Sequence, residues 1–292
     1  MIKVFIAGGT GMLGLSLANF LKKKDLEVVV QGYKHKADIN LDLTQYSETC
    51  EALDIVNPDF IINLICLSDV DENERKPELA FKLNVTPVKN IVKWIKSRNA
   101  QSKLIQISTD HVYDGSGLNS EKEINIRNQY ASTKLEAEKI SSEVGALILR
   151  TNFFGKSFLK NRNSFTDWIA SCLKENQFPI KLFKDVYFSP LSIDTLSYNI
   201  FCLLDRFQPG VYNLGSSTGL SKADFVYAYS EFLKINKSKT LLISVDELDL
   251  IANRPKGMMM DVSKYEKKFG LVLPSLEEEL KIYVGNKNEY KN

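Results

Sequence analysis

A seven-residue stretch near the N-terminus constrains this chain more than any other. "GGTGMLG" sets Gly8, Gly9, Gly11 and Gly14 directly after the apolar run "IKVFIA" (2–7). A helical pattern follows at once, with Leu13, Leu17, Phe20 and Leu21 on one face. The stretch satisfies GxGxxG from Gly9 and GxxGxxG from Gly8. Between a strand and a helix this motif has a physical use. Glycines let the backbone turn tightly and approach a pyrophosphate, and the helix N-terminus offers free N–H groups and the positive end of a dipole. The competing reading is a tight strand-to-helix turn with no ligand.

The rest of the first half has the rhythm such a turn requires. Apolar runs at 26–32, 60–67, 103–108 and 146–150 alternate with helical patterns at 46–56, 78–98 and around Tyr130 to Ser142. Pro87 falls inside the 78–98 pattern and predicts a kink or break there. Continuously apolar strands separated by helices predict a parallel sheet covered on both faces. After Arg150 the rhythm loosens, with helices near 164–175, 192–205 and 221–234 and short strands near 180–183 and 211–214. The expected architecture is α/β: a Rossmann-like doubly wound parallel sheet over 1–150, with part of 190–215 open to returning to it. A smaller mixed α/β substrate lobe would cover 151–285, and a frayed polar tail 286–292.

Composition narrows the function classes. Thirty-eight basic against 36 acidic residues leave a net charge of +2, which provides no concentrated basic face for nucleic acid or a membrane surface. The cluster Lys22, Lys23 and Lys24 reads as the solvated end of a helix. The four cysteines and two histidines show no metal-ligand spacing, so no metal is expected. No apolar run approaches a membrane span, and the N-terminus has no signal-peptide h-region. A reduced, cytoplasmic protein is the expectation.

Two stretches place a tyrosine four residues before a lysine: Tyr130 with Lys134, and Tyr283 with Lys287. Spacing alone cannot choose between them. The first pair lies on a predicted helix, one turn apart, just downstream of "STDHVYDG" at the end of a predicted strand, where α/β sheets bind ligands. Tyr283 lies in what reads as the polar tail. The first pair is therefore the chemical one. After the 26–32 strand, "QGYKHK" has no acidic residue where NAD-binding proteins usually place one. Lys34 and Lys36 suit the extra phosphate of NADP, or are simply exposed loop residues.

At this point the chain resembles the extended short-chain dehydrogenases/reductases, and more closely the dTDP-4-dehydrorhamnose reductase group. "NLICLSDVDENERKPELAFKLN" (63–84) is similar to the group's "NAAAYTxVDxAE…N" block, matching at Asn63, Val70, Asp71, Glu74 and Asn84. "STDHVYDG" resembles "STDYVFxG". "RTNFFG" (150–155), "DVYFSPL" (185–191), "YNLG" (212–215) and "NRPKGMMMDVSKYEK" (253–267) resemble its sugar-nucleotide lobe.

The resemblance implies reduction of the 4-keto group of a nucleotide-activated deoxysugar, in the service of polysaccharide biosynthesis, with NADPH preferred over NADH. Tyr130 would donate the proton. Lys134 would lower the tyrosine's pKa and hold the nicotinamide ribose, and Thr109 would orient the carbonyl. In the glycine loop the expected cofactor residues are Gly8, Thr10, Gly11, Met12, Leu13 and Gly14. Beyond it they are Tyr33, Lys34, Asp42, Leu43, Asn63, Leu64, Ile65, Asn84 and Lys134. The expected substrate residues are Asp110, His111, Asn152, Phe153, Ser189, Pro190 and Arg254, the last for the diphosphate; Phe154 would lie beside the sugar with Asn152 and Phe153.

Three departures touch the substrate more than the reaction: Leu64, Ile65 and Cys66 replace the Ala-Ala-Ala run, His111 replaces an aromatic, and "RTNFFG" replaces "RTSW". His111 in place of a glutamate argues against a dehydratase. The missing acidic ribose partner argues against an epimerase. A non-catalytic NADP-binding regulatory subunit of the same fold stays open, as does a homodimer.

Overall fold

The computed structural model describes residues 1–159, 164–175, 178–233 and 239–289. The first half runs β1 (Ile2–Ala7), α1 (Met12–Leu21), β2 (Leu26–Gly32), β3 (Ile39–Asn40), α2 (Tyr46–Val56), β4 (Phe60–Asn63), α3 (Val70–Arg75), α4 (Pro77–Asn84), α5 (Thr86–Arg98), β5 (Lys103–Thr109), α6 (Gln129–Ser142) and β6 (Leu147–Thr151). The second runs β7 (Phe153–Phe154), α7 (Phe165–Lys174), β8 (Ile180–Phe183), β9 (Tyr187–Phe188), β10 (Leu191–Ser192), α8 (Ile193–Asp205), β11 (Gly210–Leu214), β12 (Leu220–Ser221), α9 (Lys222–Leu233), β13 (Thr240–Ile243), α10 (Ser263–Phe269) and α11 (Leu276–Glu289).

Two compact units result. The first comprises Met1–Thr109, Asn128–Arg150 and Ser197–Tyr212; the second comprises Asp110–Arg127, Thr151–Leu196 and Asn213–Asn292. A seven-stranded sheet, ordered β11-β6-β5-β4-β1-β2-β3, organises the first unit. β1 pairs in parallel with β2 and β4, β4 with β5, and β2 with β3. The order reverses at β1, which puts the switch point of an open α/β sheet at the β1/β4 carboxyl ends.

Its core lies between sheet and helices. Phe5, Ile61, Leu104 and Ile148 from the strands meet Leu53, Val88, Ile91 and Trp94 from α2 and α5, all nearly or fully buried. Each such side chain contributes roughly 1.5–3 kcal/mol on burial. The helix ends have local causes: Asn57 and Asn99 close α2 and α5 in the left-handed conformation that asparagine tolerates. The predicted 78–98 helix breaks at Val85, and Pro87 lies in the first turn of α5, where its missing N–H costs nothing.

The second unit has an aromatic core. Phe154 packs edge-on to Phe225 and to Tyr283, each at 5.1 Å between centroids. Phe188 lies 5.3 Å from Phe225. Three two-stranded pairings serve here, β10 with β7, β12 with β9 and β13 with β8.

Two expectations are corrected. The strand expected over 60–67 ends at Asn63: the Leu64 N–H makes the last ladder bond, to the Ala7 carbonyl of β1 at 2.9 Å, and beyond it the Leu67 N–H turns to Asn84 Oδ1 at 2.7 Å. Tyr283, expected in the polar tail, is instead buried in the core with Leu276 and Leu280 on α11, which runs to Glu289; 290–292 lie outside the described residues.

Candidate active site

The glycine turn is held from behind by a residue that the motif does not include. Gly8 has φ +72°, a conformation glycine adopts without a Cβ penalty. Its N–H donates to Gln31 Oε1 at 2.8 Å, while the Gly9 N–H donates to the Gln31 carbonyl at 2.9 Å. The buried Gln31 amide in turn donates to the carbonyls of Gly32 and Leu41. A Cβ on Gly14 would lie 2.5 Å from the Gly9 backbone, so this glycine is needed for helix and turn to touch. A Cβ on Gly11 would meet only the Gly8 carbonyl, at 3.3 Å.

That difference separates packing from binding. Gly11 is the N-cap of α1 and supplies no side-chain cap, and the first turn contains no acidic residue. The N–H groups of Met12, Leu13 and Gly14 have no intrahelical partner by position. A tight turn, an open approach at Gly11 and an uncapped positive helix end fit the pyrophosphate of a dinucleotide. Thr10 packs beside Gly32, and Tyr33, Lys34, His35 and Lys36 are exposed beyond it. Asp42 is partly buried and accepts the Thr44 N–H at 3.0 Å. The Leu43 side chain is core, and its carbonyl accepts from Thr49 and Asn90.

The segment after β4 is fixed by amides. Asn63 donates to Gln106 Oε1 at 2.8 Å and accepts the Ile65 N–H at 3.3 Å. Asn84 accepts from the Leu67 N–H and donates at 2.9 Å to both Asn73 and Thr133. Asn73 donates to the carbonyls of Leu67 and Asp69. All three asparagines are buried, so each satisfied amide both removes a desolvation penalty and fixes the loop. Leu64 is partly exposed, and Ile65 packs against the core and the Gly8 turn.

Cys66, at the end of that segment, brings its Sγ within 3.9 Å of the Tyr130 hydroxyl. Tyr130 stands in the first turn of α6, which Asn128 caps by accepting the Ala131 N–H at 2.9 Å. Lys134 is buried one turn on, and its Nζ donates to the Ile107 carbonyl at 2.6 Å. Glu138, one turn further, forms a buried pair with Arg150 (Nη2 to Oε2, 2.7 Å) and accepts the Ser108 hydroxyl at 2.5 Å. The second and third of these turns thus address the last residues of β5, where Thr109 is buried. Gln31, Asn73, Ser108, Glu138 and Arg150 escaped sequence reading as site-supporting residues. Only the helical spacing of 130, 134 and 138 could have pointed to one of them.

In the second unit, the turn Asp110–Val112 opens with a buried Asp110, whose Oδ2 accepts from Asn152 Nδ2 at 2.6 Å. His111 beside it is held neutral: burial pushes its pKa down to about 3, and the positive charges of Lys222 and Arg254 act in the same direction. Arg254 donates to the Ala252 carbonyl at 3.0 Å. The chain just beyond it is fixed by Asp114, which accepts the N–H groups of Lys256 and Gly257, and by Asn119, which donates to the carbonyls of Gly257 and Met259. Phe153 is partly exposed, whereas Phe154, expected beside the sugar, belongs to the core. Ser189 is fully buried and accepts the Met260 N–H at 3.0 Å; Pro190 is buried next to it. The buried Asn213 of "YNLG" accepts from the Tyr113 hydroxyl at 2.6 Å and donates to two carbonyls.

Among the described residues no group of acidic, histidine and cysteine side chains could hold a metal ion, and no helix is long and apolar enough to cross a membrane.

A family model described as "RmlD substrate binding domain" matches residues 2–288. The chain is 28% identical over 290 residues to a probable low-salt glycan biosynthesis reductase of Haloferax volcanii, covering 94% of this chain and 95% of the relative. It is 26% identical over 291 residues to dTDP-4-dehydrorhamnose reductase of Salmonella typhimurium, with 94% and 95% covered. The crystal structure of dTDP-4-dehydrorhamnose reductase of Bacillus anthracis in complex with NADP superposes with a TM-score of 0.86 at 24% identity, over 98% of this chain and all of that one (100%).

Proposed function

Because the chain belongs to the RmlD substrate binding domain family, we propose that it is an oxidoreductase that reduces the 4-keto group of a nucleotide-activated deoxysugar, with NADPH as the preferred cofactor. The observation that carries this reading is the α6 array: Tyr130 near the Cys66 thiol, with Lys134 beneath it on the Ile107 carbonyl at the end of β5. The Haloferax and Salmonella relatives are both named reductases, and the Bacillus relative is crystallised with NADP, which supports the same chemistry here.

When bound, the nicotinamide supplies the hydride. The chain supplies the rest. The first turn of α1 holds the pyrophosphate, and Lys34 with Lys36 favours a 2′-phosphate over a bare ribose hydroxyl. Thr109 donates to the ketone oxygen and fixes its orientation. As negative charge develops on that oxygen, Tyr130 delivers a proton to it. An unperturbed tyrosine titrates near ~10, and the Lys134 ammonium favours the phenolate that remains. Proton donation of this kind contributes about 100- to 10,000-fold, and orientation most of the remainder. In the second unit Asn152 and Phe153 meet the sugar, and Arg254 engages the diphosphate through its planar fork.

The test is absorbance loss of NADPH, and separately of NADH, with a panel of 4-keto-6-deoxy sugars carried on dTDP, UDP and GDP. Oxidation of NADPH by one member of the panel, faster than of NADH, is the expected result. Tight NADPH binding with no turnover across the panel contradicts the reading and leaves a cofactor-binding regulatory subunit.

A further inference from the structure

Lys256 lies two residues past Arg254, and its backbone and side chain are both tied down. Its N–H donates to Asp114 Oδ1 at 2.7 Å, and its carbonyl accepts the Tyr187 N–H at 2.7 Å. Its Nζ reaches Asp185 at 3.0 Å and also Asp246. Met258 returns an N–H to the Tyr187 carbonyl at 3.0 Å. Three stretches of the second unit that carry expected substrate residues are knotted together here: 110–114 with Asp110 and His111, 187–190 with Ser189 and Pro190, and 252–258 with Arg254.

Within the knot, Asp114 does most of the holding. Its Oδ1 accepts the N–H groups of both Lys256 and Gly257, the second at 3.2 Å, and its Oδ2 accepts from Arg127 Nε at 2.6 Å. One carboxylate thus bridges the Arg254 segment to the far end of its own loop, where the Asn125 N–H returns to the Val112 carbonyl at 2.8 Å. The Lys256 side chain is 41% exposed, so its ion pairs are screened and contribute little. The Asp114 side chain is only 15% exposed, and its charge-assisted bonds to the backbone carry more. Burial opposes the charged form of Asp114, yet the N–H groups of Lys256 and Gly257, together with Arg127, outweigh it and hold the carboxyl below its ordinary range. The clamp is therefore charged at neutral pH.

We propose that Asp114 is a positioning residue for substrate recognition, whose carboxylate holds the 254–257 backbone so that the Arg254 guanidinium is preset for the substrate's diphosphate. The assignment rests on the nucleotide-sugar reading, in which Arg254 engages that group. Its physical basis is preorganisation: with the anchor in place, binding does not have to order the backbone that carries the arginine. Without the anchor, part of the binding energy goes into that ordering, up to the worth of the lost bonds.

The experiment is calorimetric titration of the full-length, NADP-saturated protein with dTDP and with UDP, beside thymidine as a control without phosphate. D114A removes the bonds to Lys256, Gly257 and Arg127, and the nearly isosteric D114N removes the charge. Wild type should bind at least one of the two diphosphates. D114A should bind it about 10- to 100-fold more weakly, the range for a lost hydrogen bond to a charged group, and D114N should lose less. Affinity for NADP, titrated separately, should stay within about twofold of wild type in both variants, as for sites that do not couple. R254M should weaken diphosphate binding by itself, and adding D114A to R254M should weaken it by no more than about twofold further, because the anchor acts through the guanidinium. If D114A does not fold, the same comparison with D114N decides. Diphosphate affinity equal to wild type in the Asp114 variants overturns the proposal. So does the same fold-loss in the wild-type and R254M backgrounds, or a parallel loss of NADP affinity, either of which assigns Asp114 to general packing. Wild-type affinity in R254M overturns the role of Arg254 and this proposal with it, while the nucleotide-sugar reading stands. Binding of neither diphosphate by wild type overturns both readings.

Discussion

Tyr130 on α6 and Tyr283 on α11 each precede a lysine by four residues, and the fold gives them opposite surroundings. Tyr130 stands in the first turn of its helix, partly exposed, with its hydroxyl near the Cys66 thiol. Tyr283 is 3% exposed, deep in an aromatic core, 5.1 Å from Phe154 and 6.4 Å from Tyr229. Burial pushes its phenol well above the ordinary tyrosine range, so it is poorly suited to give up a proton. A helical repeat can align a tyrosine and a lysine anywhere. Chemistry needs the hydroxyl open to a substrate and a cation to stabilise its conjugate base.

Three measurements test that contrast and its extension. The largest expected effect is on turnover: Tyr130→Phe should lower kcat by about 100- to 10,000-fold, the usual value of general acid catalysis, whereas Tyr283→Phe should leave kcat within about twofold. Steady-state kinetics on the two variants decides it. Next comes stability. Tyr283→Ala opens a cavity in the aromatic core and should cost about 3–5 kcal/mol in denaturant unfolding; Tyr130→Ala, at a partly exposed position, should cost well under half of that.

The smallest effect extends the comparison from phenols to the imidazole of the second unit. His111 has a folded pKa of about 3 against an ordinary 6.5. Below pH 6.5 the unfolded chain takes up a proton that the folded chain refuses. Stability linked to this residue is therefore fully present above about pH 6.5 and lost progressively as pH falls toward 3. Thermal unfolding from pH 7 to pH 4 should show a steeper fall of Tm for wild type than for His111→Gln. Parallel curves would mean that the imidazole is solvated.

The sequence carried the strand and helix order because that order is written in local patterns. The glycine turn and the break before Pro87 both follow from residues close together in the chain. The supporting network does not. Gln31 holds Gly8 across 23 positions, Asn84 reaches Thr133 across 49, and Asn63 reaches Gln106 across 43. A polar residue in a strand says nothing of which distant partner will satisfy it. The extent of "FIINLICL" was misread for the same reason: its apolar run continues, but β1 ends at Ala7, and past that last rung the Leu67 N–H goes to Asn84. Tyr283 was assigned to the polar tail from composition, although Leu276, Leu280 and Tyr283 already had helical spacing.

The most direct test of the account follows a labelled hydride. Protein is incubated with NADPH deuterated at the transferring position and the 4-keto nucleotide sugar that the panel identifies, and the product is read by NMR. The account predicts deuterium at carbon 4 with wild type and with Tyr283→Phe, and almost none with Tyr130→Phe over the same time. Deuterium at carbon 4 at the wild-type rate with Tyr130→Phe would contradict the assignment of Tyr130 as the proton donor.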